Sequence, residues 1–186
     1  HKSSHSFPTR RSSDLMGGFA LATALQTLVL AIPIALGDSI AIFTGLIGIW
    51  DTFGFTGKLL AWSLIAGIVV FPAALISGFQ FPMLLSLAGR GRTHVGRQVG
   101  NLYAMNTLGA VTGSIAGGFG LLSLLSAPGC WRLGIGIVAL LSLAFVLSAW
   151  RSEQRNLASV VPVVFCGLGL FFLTFTGPTA AWRHSG

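Results

Sequence analysis

Gln26, Gln80, Asn106 and Thr107 are the side chains inside the long apolar stretches of this chain whose types suit binding chemistry. Amides and hydroxyls exchange hydrogen bonds with a ligand or a neighbouring helix, and they carry no charge with which to relay protons. No Asp, Glu, Lys, Arg or His falls deep inside those stretches, although such residues are the usual marks of ion and proton pathways in membranes. Asn106 lies toward the arginine-rich end of its stretch. Its amide needs a partner, and a neighbouring helix is the commoner one than a ligand. His94 sits in an arginine loop without a metal-ligand companion, and Cys130 and Cys166 are isolated from each other. A disulfide needs Cα atoms within about 7 Å, which their separate placement does not offer. Nucleophile, base and orienting group never occur together. The reading assigns no catalytic, cofactor-binding or metal-ligating residue.

The elements that must position these side chains follow from charge. Between Met16 and Trp182 the chain holds ten charged residues, bunched so that they bound uncharged stretches at 17–37, 59–89, 98–131, 133–150 and 156–182. Crossing a ~30 Å hydrocarbon core takes about 20 apolar residues, and four of the five stretches exceed that. With 53% hydrophobic and 8% charged residues and a mean hydropathy of +0.83, the composition excludes an ordinary water-soluble domain. The expected fold is all-α, a polytopic transmembrane bundle of about five spans (17–37, 59–88, 101–126, 132–150, 157–177). The segment 39–57, apolar but interrupted by Asp51, is either re-entrant or a sixth span.

Residues 1–15 stand apart. They are polar, rich in Ser and Arg, and lack the apolar core of a secretory signal. The run from His5 to Leu15 resembles the codon-by-codon translation of a sequencing-library adapter, so 1–15 is expected to be a non-native tail ahead of a transmembrane domain at 16–177. Without Lys2, Arg10, Arg11 and Asp14 the net charge falls from +7 to +5. The remaining basicity is a few loop arginines without aromatic interleaving, which does not describe a nucleic-acid-binding face. The lipid bilayer is the expected partner, and no nucleic acid is.

Arginine in short loops stays on the cytoplasmic side during insertion, while Asp and Glu contribute little. Arg90, Arg92 and Arg97 place the second connection inside, and Arg151 and Arg155 place the fourth there. The first connection (Asp38, Asp51, Lys58) and a third marked by Arg132 are then outside, as is the tail after Gly177. Pro72 and Pro82 imply a kink or a helix end near Phe81-Pro82. Gly109, Gly113 and Gly117 recur every fourth residue, a small-residue face that lets helix backbones approach closely in lipid. Packing within the chain is the preferred expectation for that face, and a homo-oligomer the other. Gly117-Gly118-Phe119-Gly120 lacks the strand–turn–helix context of a dinucleotide loop and is rejected as one.

Three stretches resemble a known family. Residues 95–114, including Gly100-Asn101-Leu102-Tyr103-Ala104-Met105-Asn106-Thr107-Leu108-Gly109-Ala110, are similar to a helix reading roughly GxLYAxNTxGAxxGS in bacterial fused MFS-type transporter/spermidine synthase proteins. Gly78-Phe79-Gln80-Phe81-Pro82 resembles the G-x-x-FP element before it, and residues 177–186 resemble the passage into the soluble aminopropyltransferase domain. One departure is visible: Leu122-Ser123-Leu124-Leu125-Ser126 stands where the family has a proline and then a glycine.

The resemblance implies a multi-pass protein of the bacterial plasma (inner) membrane whose residues 178–186 begin a truncated synthase-like domain. The missing part would take decarboxylated S-adenosylmethionine as co-substrate and move its aminopropyl group onto putrescine. No catalytic residue of that domain is in this chain, which would then serve as anchor or as passage for a polyamine or related amine. A tail outside would put the synthase away from cytoplasmic substrates, a conflict the residues leave open. The alternative is a fragment of a major-facilitator-type transporter, with no enzymatic activity.

Overall fold

The computed structural model describes residues 9–88, 95–151 and 160–174, and they are helical throughout, with no strand among them. The order is α1 (Thr9–Leu36), α2 (Asp38–Ile47), a 3-10 segment (Gly48–Phe53), α3 (Gly54–Ala88), α4 (Val95–Ala116), a π segment (Gly117–Leu121), α5 (Leu122–Arg151) and α6 (Val160–Phe172). Three helical stretches are long and apolar enough to cross a membrane: Leu15–Leu36, Gly54–Leu87 and Val95–Ser148. The last is not one rod. Ser126 has φ 60° and ψ 170°, a non-helical residue that divides it.

α1 is the hub of the bundle. Phe19, Ala20, Thr23, Ala24, Thr27, Ala31 and Ile34 are buried along it. α5 and α6 close on this seam through small residues: Ala24 clusters with Ala139 and Cys166, and Ala31 and Ile34 cluster with Ile135. Small side chains are what such packing needs in lipid, where close van der Waals contact replaces the hydrophobic drive. The buried hydroxyls are satisfied locally. Thr27 Oγ1 donates to Thr23 O at 2.9 Å, and Thr23 Oγ1 lies 3.0 Å from Phe19 O. Ser142 Oγ reaches across from α5 to Ala20 O at 3.4 Å.

Pairing gives the directions. Phe19 meets Phe145 at a ring-centroid distance of 4.6 Å, while Trp131 Nε1 donates to Leu30 O at 2.8 Å, so α5 runs antiparallel to α1. Pro33 supplies no N–H to the α1 ladder, and the indole serves a carbonyl in the turn just before it. α3 is antiparallel to α1 as well, with Gly18 beside Met83 and Gln26 beside Ser77. α6 is parallel to α1, with Cys166 against Ala24 and Phe172 in the cluster of Ala31 and Ile34. α4 therefore climbs from the end of α3 to the corner at Ser126, and the five long elements alternate in direction.

Several expectations shift. α1 begins at Thr9, inside the tail expected to lie ahead of the first span, since no proline follows until Pro33 and a nucleated helix propagates backward. The segment expected to be re-entrant or a sixth span is helical but too short for the second role. α2 has ten residues, about 15 Å of helix, and its continuation tightens to 3-10. Gly37, at φ 49°, ends α1 and donates to Pro33 O and Ile34 O. Lys58 lies in the opening turns of α3 rather than in the connection, and α3 continues through both Pro72 and Pro82. The third connection is at Ser126, not at Arg132, which is inside α5. A lone arginine does not interrupt a helix, whereas Pro128 just beyond Ser126 removes a donor from the ladder there.

The glycine face of α4 does not pack within the described chain. α4 has no buried residue, and a Cβ at Gly109, Gly113 or Gly117 would meet nothing within 4 Å. α6 has 13 residues, about 20 Å, so the ends of the 157–177 span lie largely outside the described residues. His94 and residues 178–186 lie outside them too.

Candidate functional site

Polar side chains from α1 and α3 meet at one place. Gln26 Nε2 donates to Ser77 Oγ at 2.6 Å, and Gln80 Nε2 donates to Gln26 Oε1 at 2.8 Å. Ser77 and Gln80 are three apart on α3, which puts both on the face toward α1. Gln26 lies midway along the apolar stretch Leu15–Leu36, about 16 Å from either end. Each amide holds the other in one orientation, so the cluster is ordered without any charged group.

Phe81, one position on, continues this face of α3 toward α4. Its ring meets that of Tyr103 edge-on, with centroids 5.1 Å apart and planes at 77°. The contact joins the Gly78–Pro82 element of α3 to residues 95–114 of α4, two of the three stretches that carry the family resemblance. Thr107 Oγ1 is turned back onto Tyr103 O at 2.9 Å. The Asn106 amide is exposed and has no hydrogen-bond partner among the described residues, contrary to the expected bond to a neighbouring helix. α4 has no buried residue, and on this face only the Tyr103 ring, one turn earlier, meets α3.

The structure thus brings together Gln26 and Gln80 and leaves Asn106 and Thr107 aside. Ser77 was missed. The signal for it was its place three residues before Gln80, because two polar side chains on one face of an apolar helix seldom act separately. Cys130 is half-buried in α5 and Cys166 is buried in α6 against Ala139 O at 3.6 Å; both are free thiols. Among the described residues no three His, Cys, Asp or Glu side chains gather as a metal site.

A groove of about 800 Å³ lies at the other end of α1, between Gly37, Ile40, Trp62, Val69, Pro128 and Trp131. Apart from Ser126 at the corner, its lining is apolar, and the Trp131 indole N–H is already engaged. It offers shape without chemistry.

No protein-family model matches this chain, and no curated protein or solved structure does. The fold and the site define its class: a helical membrane protein with an uncharged polar centre between α1 and α3.

Proposed function

We propose that this chain is the membrane-embedded N-terminal part of a spermidine synthase-like protein of the bacterial plasma membrane, and that it anchors an aminopropyltransferase domain. The observation that carries the reading is the contact of Phe81 with Tyr103. Two separate stretches that resemble the family come together in space, as the two arms of one helical hairpin would. Anchorage is favoured over passage of a polyamine by spans that lack acidic residues. A polycation crossing hydrocarbon needs carboxylates, and 15–36, 54–87 and 95–148 contain no Asp or Glu.

Longer reads of the same DNA test the proposal. The expected continuation beyond Gly186 is a soluble domain of roughly 250 residues with a glycine-rich strand–turn–helix. The encoded protein would transfer an aminopropyl group from decarboxylated S-adenosylmethionine to putrescine. Further apolar spans in its place would turn the assignment to a fragment of a major-facilitator-type transporter. The bare face of α4 favours that second reading, since additional helices would cover Gly109, Gly113 and Gly117. In the anchor reading a second copy covers the same glycines, a homo-oligomer.

A further inference from the structure

The hydrogen bonds of the polar centre leave part of its capacity unused. Gln80 Oε1 keeps both lone pairs, each glutamine keeps one N–H, and the Ser77 hydroxyl keeps its hydrogen, with no other acceptor or donor for them among the described residues. Ser77 is exposed, and Gln26 and Gln80 are half-buried. Polar groups left open to lipid are strongly disfavoured, and at mid-membrane depth they occur where protein or a water-filled cavity meets them. Here the described residues do not meet them.

We infer that the face of α3 bearing Ser77 and Gln80 opens into an aqueous cleft, and that the Gln26–Ser77–Gln80 cluster binds a small uncharged solute there. The solute must both donate and accept hydrogen bonds, because the free groups are of both kinds. A cation fits less well: Gln80 Oε1 offers it one neutral acceptor, the free N–H groups oppose it, and no carboxylate is present in 15–36, 54–87 or 95–148 to neutralise it. The inference rests on α1 and α3 crossing a membrane, and it holds for the synthase-like and the transporter parent alike.

Thiol labelling of the full chain in lipid vesicles tests it, in a Cys130→Ser, Cys166→Ala background. Ser77→Cys is compared with Leu75→Cys, whose native side chain is 60% exposed and points to the opposite side of α3. A thiolate forms in water and not in hydrocarbon, so an uncharged, water-soluble methanethiosulfonate should label Ser77→Cys about tenfold faster or more. A lipophilic maleimide reports that both thiols are present and reachable. In that variant the Gln26 and Gln80 amides still hold the solute, so urea should slow the Ser77→Cys reaction about twofold at half-saturation, and putrescine at equal concentration should leave it unchanged. Equally slow labelling of both positions would overturn the cleft. Equally fast labelling would overturn the membrane placement itself, without bearing on which domain follows Gly186. Protection by putrescine but not by urea would replace the uncharged solute with a cation.

Discussion

Gln80 on α3 and Gln26 on α1 face each other with an amide–amide hydrogen bond of 2.8 Å, near the middle of the apolar stretch Leu15–Leu36. Interhelical hydrogen bonds in membrane proteins couple by about 0.6 kcal/mol on average and up to about 1.7. Because Gln26 also serves Ser77, this pair belongs in the upper half of that range. A double-mutant cycle with Gln26→Leu and Gln80→Leu, followed by unfolding in detergent, measures it. Strict additivity of the two substitutions would show that the amides do not act together.

Gly169 on α6 is held against Thr27 on α1. A Cβ at Gly169 would come to 2.9 Å from Thr27 Cγ2 and 3.2 Å from the Thr27 carbonyl oxygen. Overpacking of this kind costs about 1–3 kcal/mol, so Gly169→Ala should destabilise the chain by about that much. Gly113 has open space at the same test, so Gly113→Ala should leave the stability of the isolated chain unchanged or raise it by up to about 1 kcal/mol through helix propensity. Gly113→Leu would separate two roles of the α4 face: it should spare folding and abolish self-association if a second copy packs there. Melting temperatures and detergent-solution mass measurements read the two effects independently.

The contrast between these glycines marks what was legible in the sequence. Length and absence of charge dictated helices, and the rarity of polar residues pointed to Gln26 and Gln80. Which small residues form the real seam was not legible. Gly109, Gly113 and Gly117 carry the stronger pattern, yet the contacts fall on Ala24 and Thr27 of α1 with Cys166 and Gly169 of α6. Alanine and threonine are common in any apolar helix, so their spacing signals nothing until a partner helix is placed. Arg132 misled for a similar reason. Charge locates loops only on average, whereas the corner was set by the backbone of Ser126 and by Pro128.

The alternating directions of the long helices put Ala88 and Val95 together with Arg151 and Val160 at one end of the bundle, opposite Gly37 and Ser126. The arginines at 90, 92, 97, 151 and 155 belong to that first end by sequence. Positive-inside insertion then predicts that reporter fusions at His94 and Arg155 both read cytoplasmic, while one at Ser126 reads the opposite side. A split result between His94 and Arg155 would break the alternation of α4, α5 and α6.

Ser126 carries a backbone conformation, φ 60° and ψ 170°, that is nearly exclusive to glycine. The strain of a side chain held there is about 1–3 kcal/mol. Ser126→Gly should therefore stabilise the chain by an amount in that range, seen as a rise in thermal midpoint in detergent. Helicity should not fall, because the helix is already interrupted at this residue. Ser126→Pro should act in the opposite sense, since proline fixes φ near −65° and cannot occupy the corner. The pair of variants distinguishes backbone strain from side-chain bonding: if the serine hydroxyl holds the corner, Ser126→Gly will destabilise as well.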